Sequence, residues 1–208
     1  VHLQQGDQVR ILTRRSSLRM DGVKCYVGDL SEDGDHLALF LEGADVLYHC
    51  AGEKDDESLM RALHVQGTHR LLEAARGKID RWVQLSSVGA YGICRTGVVT
   101  EESLEQPSNV YEQTKTEADK MIRESGLPYV ILRPSKVLST TMDDQSLFQL
   151  LEMLKRGLFV FLGRRGALVN YVHVEDVVRA LMLCGKDERA LNHTYNLSQT
   201  TEIERMVS

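Results

Sequence analysis

The sequence predicts an α/β fold: a doubly wound, mostly parallel sheet with helices on both faces. Short β-branched runs alternate with amphipathic stretches along nearly the whole chain, and strand-then-helix repetition of this kind builds a parallel sheet. No internal repeat, low-complexity tract or interdomain linker interrupts the alternation, and 208 residues fit one domain of ordinary size or a part of a larger one.

Taken in order, Val9 to Thr13 reads as the first strand and Val23 to Val27 as the second, followed by a short helix over His36 to Leu41. A strand over Asp45 to His49 precedes a long amphipathic stretch from Glu57 to Ala75, and Arg81 to Ser86 is the next strand. The helix from Tyr111 to Arg123 has clear boundary signals. Pro107-Ser108-Asn109 stops what precedes it, Asn109 and Glu112 form a capping-box-like pair, and Ser125-Gly126 with Pro128 ends it. Tyr129 to Arg133 and Val169 to His173 read as further strands, Leu147 to Lys155 and Val174 to Leu183 as further helices. The stripe Leu147, Leu150, Leu151, Leu154 has the helical period of a core face.

Composition narrows the function classes. Apolar residues are 42% and charged residues 26%, the balance of a globular chain. A net charge of −5 argues against a general nucleic-acid binder. The longest strongly apolar run, Leu158 to Leu162, is far too short to span a bilayer, and no basic-then-apolar segment opens the chain. Cys25, Cys50, Cys94 and Cys184 are scattered without a CxxC pair, which reads as reduced core thiols in a cytoplasmic protein. The seven histidines show no HxH or HExxH spacing, so no metal site is expected; His173 and Asp176 fit a helix start instead.

The chemistry concentrates around one helix. Tyr111 and Lys115 stand four apart, which places both on one face. A free phenol, with a pKa of about 10, is a poor acid–base catalyst at neutral pH. An ammonium about 4 Å away interacts by about 4 kcal/mol at an effective dielectric near 20, enough to lower the phenol by up to roughly three pKa units. Alone, YxxxK is a weak signal. Twenty-four residues earlier, however, Trp82 to Ser86 form a strand that ends at Ser87, where a parallel sheet binds ligands. Ser87 is placed to hydrogen-bond a reacting oxygen while Tyr111 moves a proton.

These residues resemble the extended short-chain dehydrogenases/reductases, also called the NAD-dependent epimerase/dehydratase family, over almost the whole chain. Gly28-Asp29-Leu30 is similar to the motif whose aspartate lies near the adenine, and His49-Cys50-Ala51-Gly52 to the small-residue turn that approaches the cofactor. His64-Val65-Gln66-Gly67-Thr68 resembles the Asn-Val-x-Gly-Thr segment, with His64 in place of the usual Asn. Leu85-Ser86-Ser87 through Tyr91-Gly92, Leu132-Arg133-Pro134-Ser135 and Val172 to Val177 resemble later family signatures, and Thr194 to Leu197 a late strand. The resemblance implies a Rossmann-type fold, an NAD(P)-dependent oxidoreductase or epimerase acting on a small molecule, and catalysis by Ser87, Tyr111 and Lys115. It places Arg14, Arg15, Asp29, Leu30, Cys50, Ala51, Gly52, His64, Tyr111, Lys115 and Pro134 at the cofactor. Ser87, Val88 and Gly89 fall at the substrate. A homodimer through the helices 57–75 and 111–123 is implied by resemblance only, as is a substrate-side contribution from 135–170.

The chain also departs from that pattern. It has no glycine-rich turn; Val1 to Gly6 is similar to the tail of the family's first helix, so a βα unit of roughly 20 to 30 residues is expected to be missing, and the substrate segment after Ser208 with it. Without that unit, the family's second and fourth strands lose their shared neighbour and expose unpaired backbone. Val88-Gly89 stands where sugar-nucleotide 4,6-dehydratases carry Asp-Glu, so dehydration is not expected. Leu168-Val169-Asn170 lacks the arginine that often grips a pyrophosphate, though Arg164 and Arg165 lie close by. After the first strand comes Thr13-Arg14-Arg15 with no acid, which favours NADP(H) through guanidinium contacts to a 2′-phosphate; NAD(H) stays open. Epimerase, NADPH-dependent carbonyl reductase and non-catalytic dinucleotide-binding scaffold or redox sensor all remain consistent with these residues.

Overall fold

The computed structural model describes residues 1–32, 34–94, 97–139, 152–153, 155–158 and 170–199. The expected helix over 147–155, apart from three residues, and Arg164 and Arg165 lie outside them, as do Leu168 and Val169.

A 3-10 turn, Leu3–Gln5, ends at Gly6 in the left-handed region (φ 84°) and leads into β1, Val9–Thr13. β2 is Val23–Val27, α1 His36–Leu41 and β3 Val46–His49. The long amphipathic stretch begins as α2, Glu57–Met60, passes through a π-helical turn, Arg61–Gly67, and resumes as α3, Thr68–Ala75. β4 is Arg81–Leu85, followed by a 3-10 turn, Val88–Tyr91. Next come α4, Val110–Glu124, β5, Tyr129–Pro134, and β6, Lys136–Leu138. β7, Tyr171–His173, runs into α5, Val174–Cys184, and β8 is His193–Leu197.

Every strand pairing among the described residues is parallel, in three groups: β1-β2, β3-β4-β5-β8 and β6-β7. The expected gap is present. β1 pairs with β2 and β3 with β4, but β1 and β3 do not pair; clefts lined by Gln8–Thr13 on one side and Asp45–His49 on the other separate them.

Strand alternation sends neighbouring side chains into two cores. Leu47, Trp82 and Ile131 face α1, α3 and α4, where they meet Leu37, Leu41, Leu71, Leu72, Ala75 and Ile122. Val83, Val130 and Leu132 face the other way, onto Val172, Val177 and Cys184. Helices therefore cover both faces. Leu41, Ile122 and Ile131 are each 1% exposed or less, and each contributes about 1.5–3 kcal/mol by burial before chain entropy is subtracted. Trp82 keeps its indole N–H paired with Gln84 Oε1, 3.1 Å away on the same strand face. Of the four cysteines, Cys184 is buried but Cys50 and Cys94 are exposed, so the reading of core thiols fails for those two; both sit just past strand or turn ends, where the chain reaches the surface.

Helix α4 starts as its sequence signals require. Asn109 Oδ1 accepts the Glu112 N–H at 2.9 Å, and Glu112 Oε2 accepts from the Ser108 N–H and hydroxyl, both at 2.7 Å. His173 caps α5 by accepting the Glu175 N–H on Nδ1, and Asp176 pairs with Arg179 at 3.2 Å. Both residues serve the helix start. No helix among the described residues is long and apolar enough to cross a membrane.

Candidate active site

Of the expected site residues, Arg14, Arg15, Asp29, Leu30, Cys50, Ala51, Gly52 and Tyr111 line two clefts, whereas Ser87, Val88, Gly89, His64, Lys115 and Pro134 line neither. The larger, about 470 Å³, lies between β1 and β3 and is lined by Arg14, Arg15, Asp29, Leu30, Cys50, Ala51 and Gly52 among others. Much of this cleft, including Ile11, Leu12, Leu47 and Tyr48, is the gap between the unpaired β1 and β3. At the strand ends two guanidiniums, one carboxylate and a small-residue turn stand together, a set that fits the adenosine half of a dinucleotide. Asp29 is fixed by the Ser31 N–H and hydroxyl, both at 2.8 Å. These bonds, foremost the backbone one, hold its carboxyl below the ordinary range, and nearby Arg14 adds to the effect.

The second cleft, about 340 Å³, is lined by Lys54, Asp55, Glu57, Met60, Asn109 and Tyr111. Tyr111 opens α4, and Lys115 follows one turn later. Lys115 is 5% exposed and its ammonium donates to Leu85 O at 2.7 Å, binding the helix to the end of β4 two residues before Ser87. Burial pulls the Lys115 pKa down, opposed by the negative charge of Asp119 one turn further on. The Tyr111 phenol runs opposite to the expected direction. Burial pushes its pKa above 10, Asp119 adds to the rise, and the ammonium is engaged with a strand carbonyl.

Ser87 Oγ accepts the Gly89 N–H at 3.0 Å and so caps the 3-10 turn that carries Val88 and Gly89. This turn packs on α4: a Cβ at Gly89 would stand 2.8 Å from Glu112 Cγ and 3.2 Å from Ser87 Oγ. Glycine thus permits the strand end to approach the first turn of α4. Pro134 lies at the end of β5, opposite Leu197 of β8, and lines neither cleft.

His64 is 2% exposed. Its ring bridges Glu53 N and Thr114 Oγ1, both at 2.8 Å, and stands edge-to-face to Tyr111 at 5.6 Å between centroids. Burial lowers its pKa to about 4, with the Lys115 charge contributing, so the imidazole is neutral at pH 7.

A polar cluster beneath the site escaped the sequence reading. Asp119 Oδ2 accepts from Ser86 Oγ at 2.8 Å and from Arg133, which also pairs with Glu105 and lies over the Tyr91 ring, 5.0 Å from its centroid. The available signal was spacing: Asp119 is four residues after Lys115 and therefore shares its helix face. Among the described residues no group of His, Cys, Asp or Glu forms a metal centre.

The model of the NAD dependent epimerase/dehydratase family matches residues 1–198. A candidate dihydroflavonol 4-reductase of Synechocystis sp. is 36% identical over 150 residues, which cover 64% of this chain and 43% of that protein. The low-salt glycan biosynthesis protein Agl12 of Haloferax volcanii is 28% identical over 187 residues, covering 86% of this chain and 59% of Agl12. The chain thus spans about half the length of these curated relatives. Among solved structures, MoeE5 in complex with UDP-glucuronic acid and NAD superimposes with a TM-score of 0.81 at 26% identity, covering 96% of this chain and 71% of MoeE5. With that match over residues 1–198, parallel strands and helices on both faces, the chain belongs to the NAD dependent epimerase/dehydratase family.

Proposed function

We propose that the chain carries the core of an NADP(H)-dependent oxidoreductase acting at a ketone or secondary alcohol, in the direction of ketone reduction. The observation that carries the reading is the Lys115 ammonium held at the end of β4, one helical turn from Tyr111 and beside the Cys50–Gly52 turn. When bound, a nicotinamide cofactor supplies the hydride chemistry. Arg14 and Arg15 hold the 2′-phosphate end, and Asp29 and the Cys50–Gly52 turn flank the adenosine half. Tyr111 donates the proton to the substrate oxygen, Ser87 hydrogen-bonds that oxygen, and Lys115 supports the phenolate that the transfer leaves behind.

Burial raises the Tyr111 pKa, and the protonated phenol is the form that donates to a carbonyl oxygen. The two arginines point the same way, since NADPH is the usual reductant. The likeness to MoeE5 with UDP-glucuronic acid supports a sugar nucleotide as substrate class. A second reading has one observation in its favour: burial and Asp119 raise the phenol pKa rather than lower it, as a non-catalytic dinucleotide-binding scaffold allows.

The test is turnover of NADPH by the purified protein with a panel of ketones and 4-keto sugar nucleotides, alongside Tyr111→Phe. A loss of about a hundredfold or more in kcat, with nucleotide binding kept, is expected. Nucleotide binding without Tyr111-dependent turnover selects the scaffold.

A further inference from the structure

His64 joins three parts of the site that belong to different elements. Its Nε2 accepts the Glu53 N–H at 2.8 Å, so that nitrogen carries no proton. The proton then sits on Nδ1, which faces Thr114 Oγ1 at 2.8 Å. Thr114 in turn donates to Val110 O at 2.8 Å, which leaves an oxygen lone pair for the imidazole. Glu53 follows Ala51 and Gly52 in the wall of the larger cleft, and Thr114 immediately precedes Lys115. The ring also stands at 83° to Tyr111 in an edge-to-face contact. Both nitrogens of the buried ring are thus satisfied by partners on two different elements, and its edge meets the Tyr111 ring.

The backbone supports the arrangement. His64 lies within the π-helical turn Arg61–Gly67, an irregularity that re-aims side chains and occurs often at functional sites. The turn runs against the ring: a Cβ at Gly52 would stand in ordinary contact, 3.5 Å from Nε2.

We infer that His64 is a positioning residue: as a neutral imidazole protonated on Nδ1, it sets the separation of the Ala51–Glu53 turn from α4 and fixes the Tyr111 phenol relative to the cofactor cleft. This rests on the reading of Tyr111 as the proton donor. An asparagine at this position offers one acceptor and one donor on a shorter side chain, whereas alanine offers neither. Loss of the clamp misplaces the phenol and loosens the Ala51–Gly52 part of the cleft wall, but leaves Arg14, Arg15 and Asp29 where they are. The expected signature is therefore a fall in kcat without a matching loss of nucleotide affinity.

The experiment compares His64→Ala, His64→Asn and Tyr111→Phe for kcat, KM and NADPH affinity, with 15N NMR of the wild-type imidazole. His64→Ala is expected to lose kcat by about ten- to a hundredfold with NADPH affinity falling by less than about fivefold, and His64→Asn to recover part of the turnover. The NMR signature is expected to show a bare Nε2. Wild-type kcat in a folded His64→Ala, equal loss of turnover and nucleotide binding, or a proton on Nε2 each overturns the proposal. Where His64→Ala does not fold, the tautomer and His64→Asn decide. If Tyr111→Phe itself keeps full turnover, the reading of the phenol has failed; if Tyr111→Phe is inactive while His64→Ala is not, only the role of His64 has.

Discussion

Asp119 Oδ2 accepts from Arg133 Nε at 3.1 Å and from Arg133 Nη2 at 2.9 Å, and neither residue is more than 1% exposed. This pair fastens α4 to the end of β5, while Ser86 on the same oxygen adds the end of β4. Removing one member of a buried ion pair costs about 3–5 kcal/mol because the other charge is stranded, whereas replacing both with apolar groups is often nearly neutral. Asp119→Leu and Arg133→Met are each expected to destabilise by that amount in urea denaturation. The double variant should lose clearly less than their sum. Additive losses would mean the two charges are not coupled.

Two buried histidines set the acid limit of stability. Burial is the first cause in both cases, lowering His49 to about 3 and His64 to about 4 from an ordinary value of 6.5. Below pH 6.5 the unfolded chain takes up protons that the folded chain refuses, so stability present above that pH falls as the pH drops toward 4 and then 3. At 1.36 kcal/mol per pKa unit, His64 alone is worth roughly 3 kcal/mol. Carboxylates such as Asp187, held near about 2 by Arg189, act in a separate window below their ordinary value of 3.8. Thermal midpoints are expected to fall from pH 6.5 to pH 4. A flat profile across that range would show that neither histidine is held neutral.

Gly92 and Gly97 separate two kinds of glycine. Both have positive φ, 66° and 85°. A Cβ at Gly92 would stand 2.0 Å from Gln106 O, whereas at Gly97 nothing among the described residues lies within 4 Å. Gly97→Ala is therefore expected to cost about 1 kcal/mol, the backbone conformational penalty alone. Gly92→Ala should cost well over that, because the strap at Gln106, whose N–H bonds Ala90 O at 3.0 Å, must also move. Equal midpoints in denaturant for the two variants would contradict the close approach.

The strands and caps were legible because local chemistry decides them. β1, β2 and α1 fall on the expected residues, and Asn109 with Glu112 starts α4 where the capping pair placed it. The π turn at Arg61–Gly67 was not, since nothing in its hydrophobic period differs from a regular helix; the contact of His64 with α4 selects it. β6 is three residues long and exists only through pairing with β7, a non-local bond invisible in its own sequence. At the site, the i, i+4 spacing of Tyr111 and Lys115 was readable, but the direction of the phenol's pKa was not. It depends on burial and on Asp119, which Arg133 and Ser86 hold from other strands.

Arg14 and Arg15 provide the test of cofactor choice. Both line the cleft between β1 and β3, both are exposed, and Arg14 lies near the fixed carboxylate of Asp29. An exposed arginine with no phosphate to hold contributes little to stability, so the double change Arg14→Ala, Arg15→Ala should leave the thermal midpoint nearly unchanged. A hydrogen bond to a charged group is worth about 1.5–3 kcal/mol, which predicts a loss of about ten- to a hundredfold in NADPH affinity for each guanidinium engaged. NADH lacks the 2′-phosphate and should be affected by less than about threefold. Salt gives an independent check, because NADPH binding to the wild-type chain should weaken more steeply than NADH binding as ionic strength rises. Equal losses for the two nucleotides, or parallel salt dependence, would place the arginines in the solvated loop and leave NAD(H) as the cofactor of this cleft.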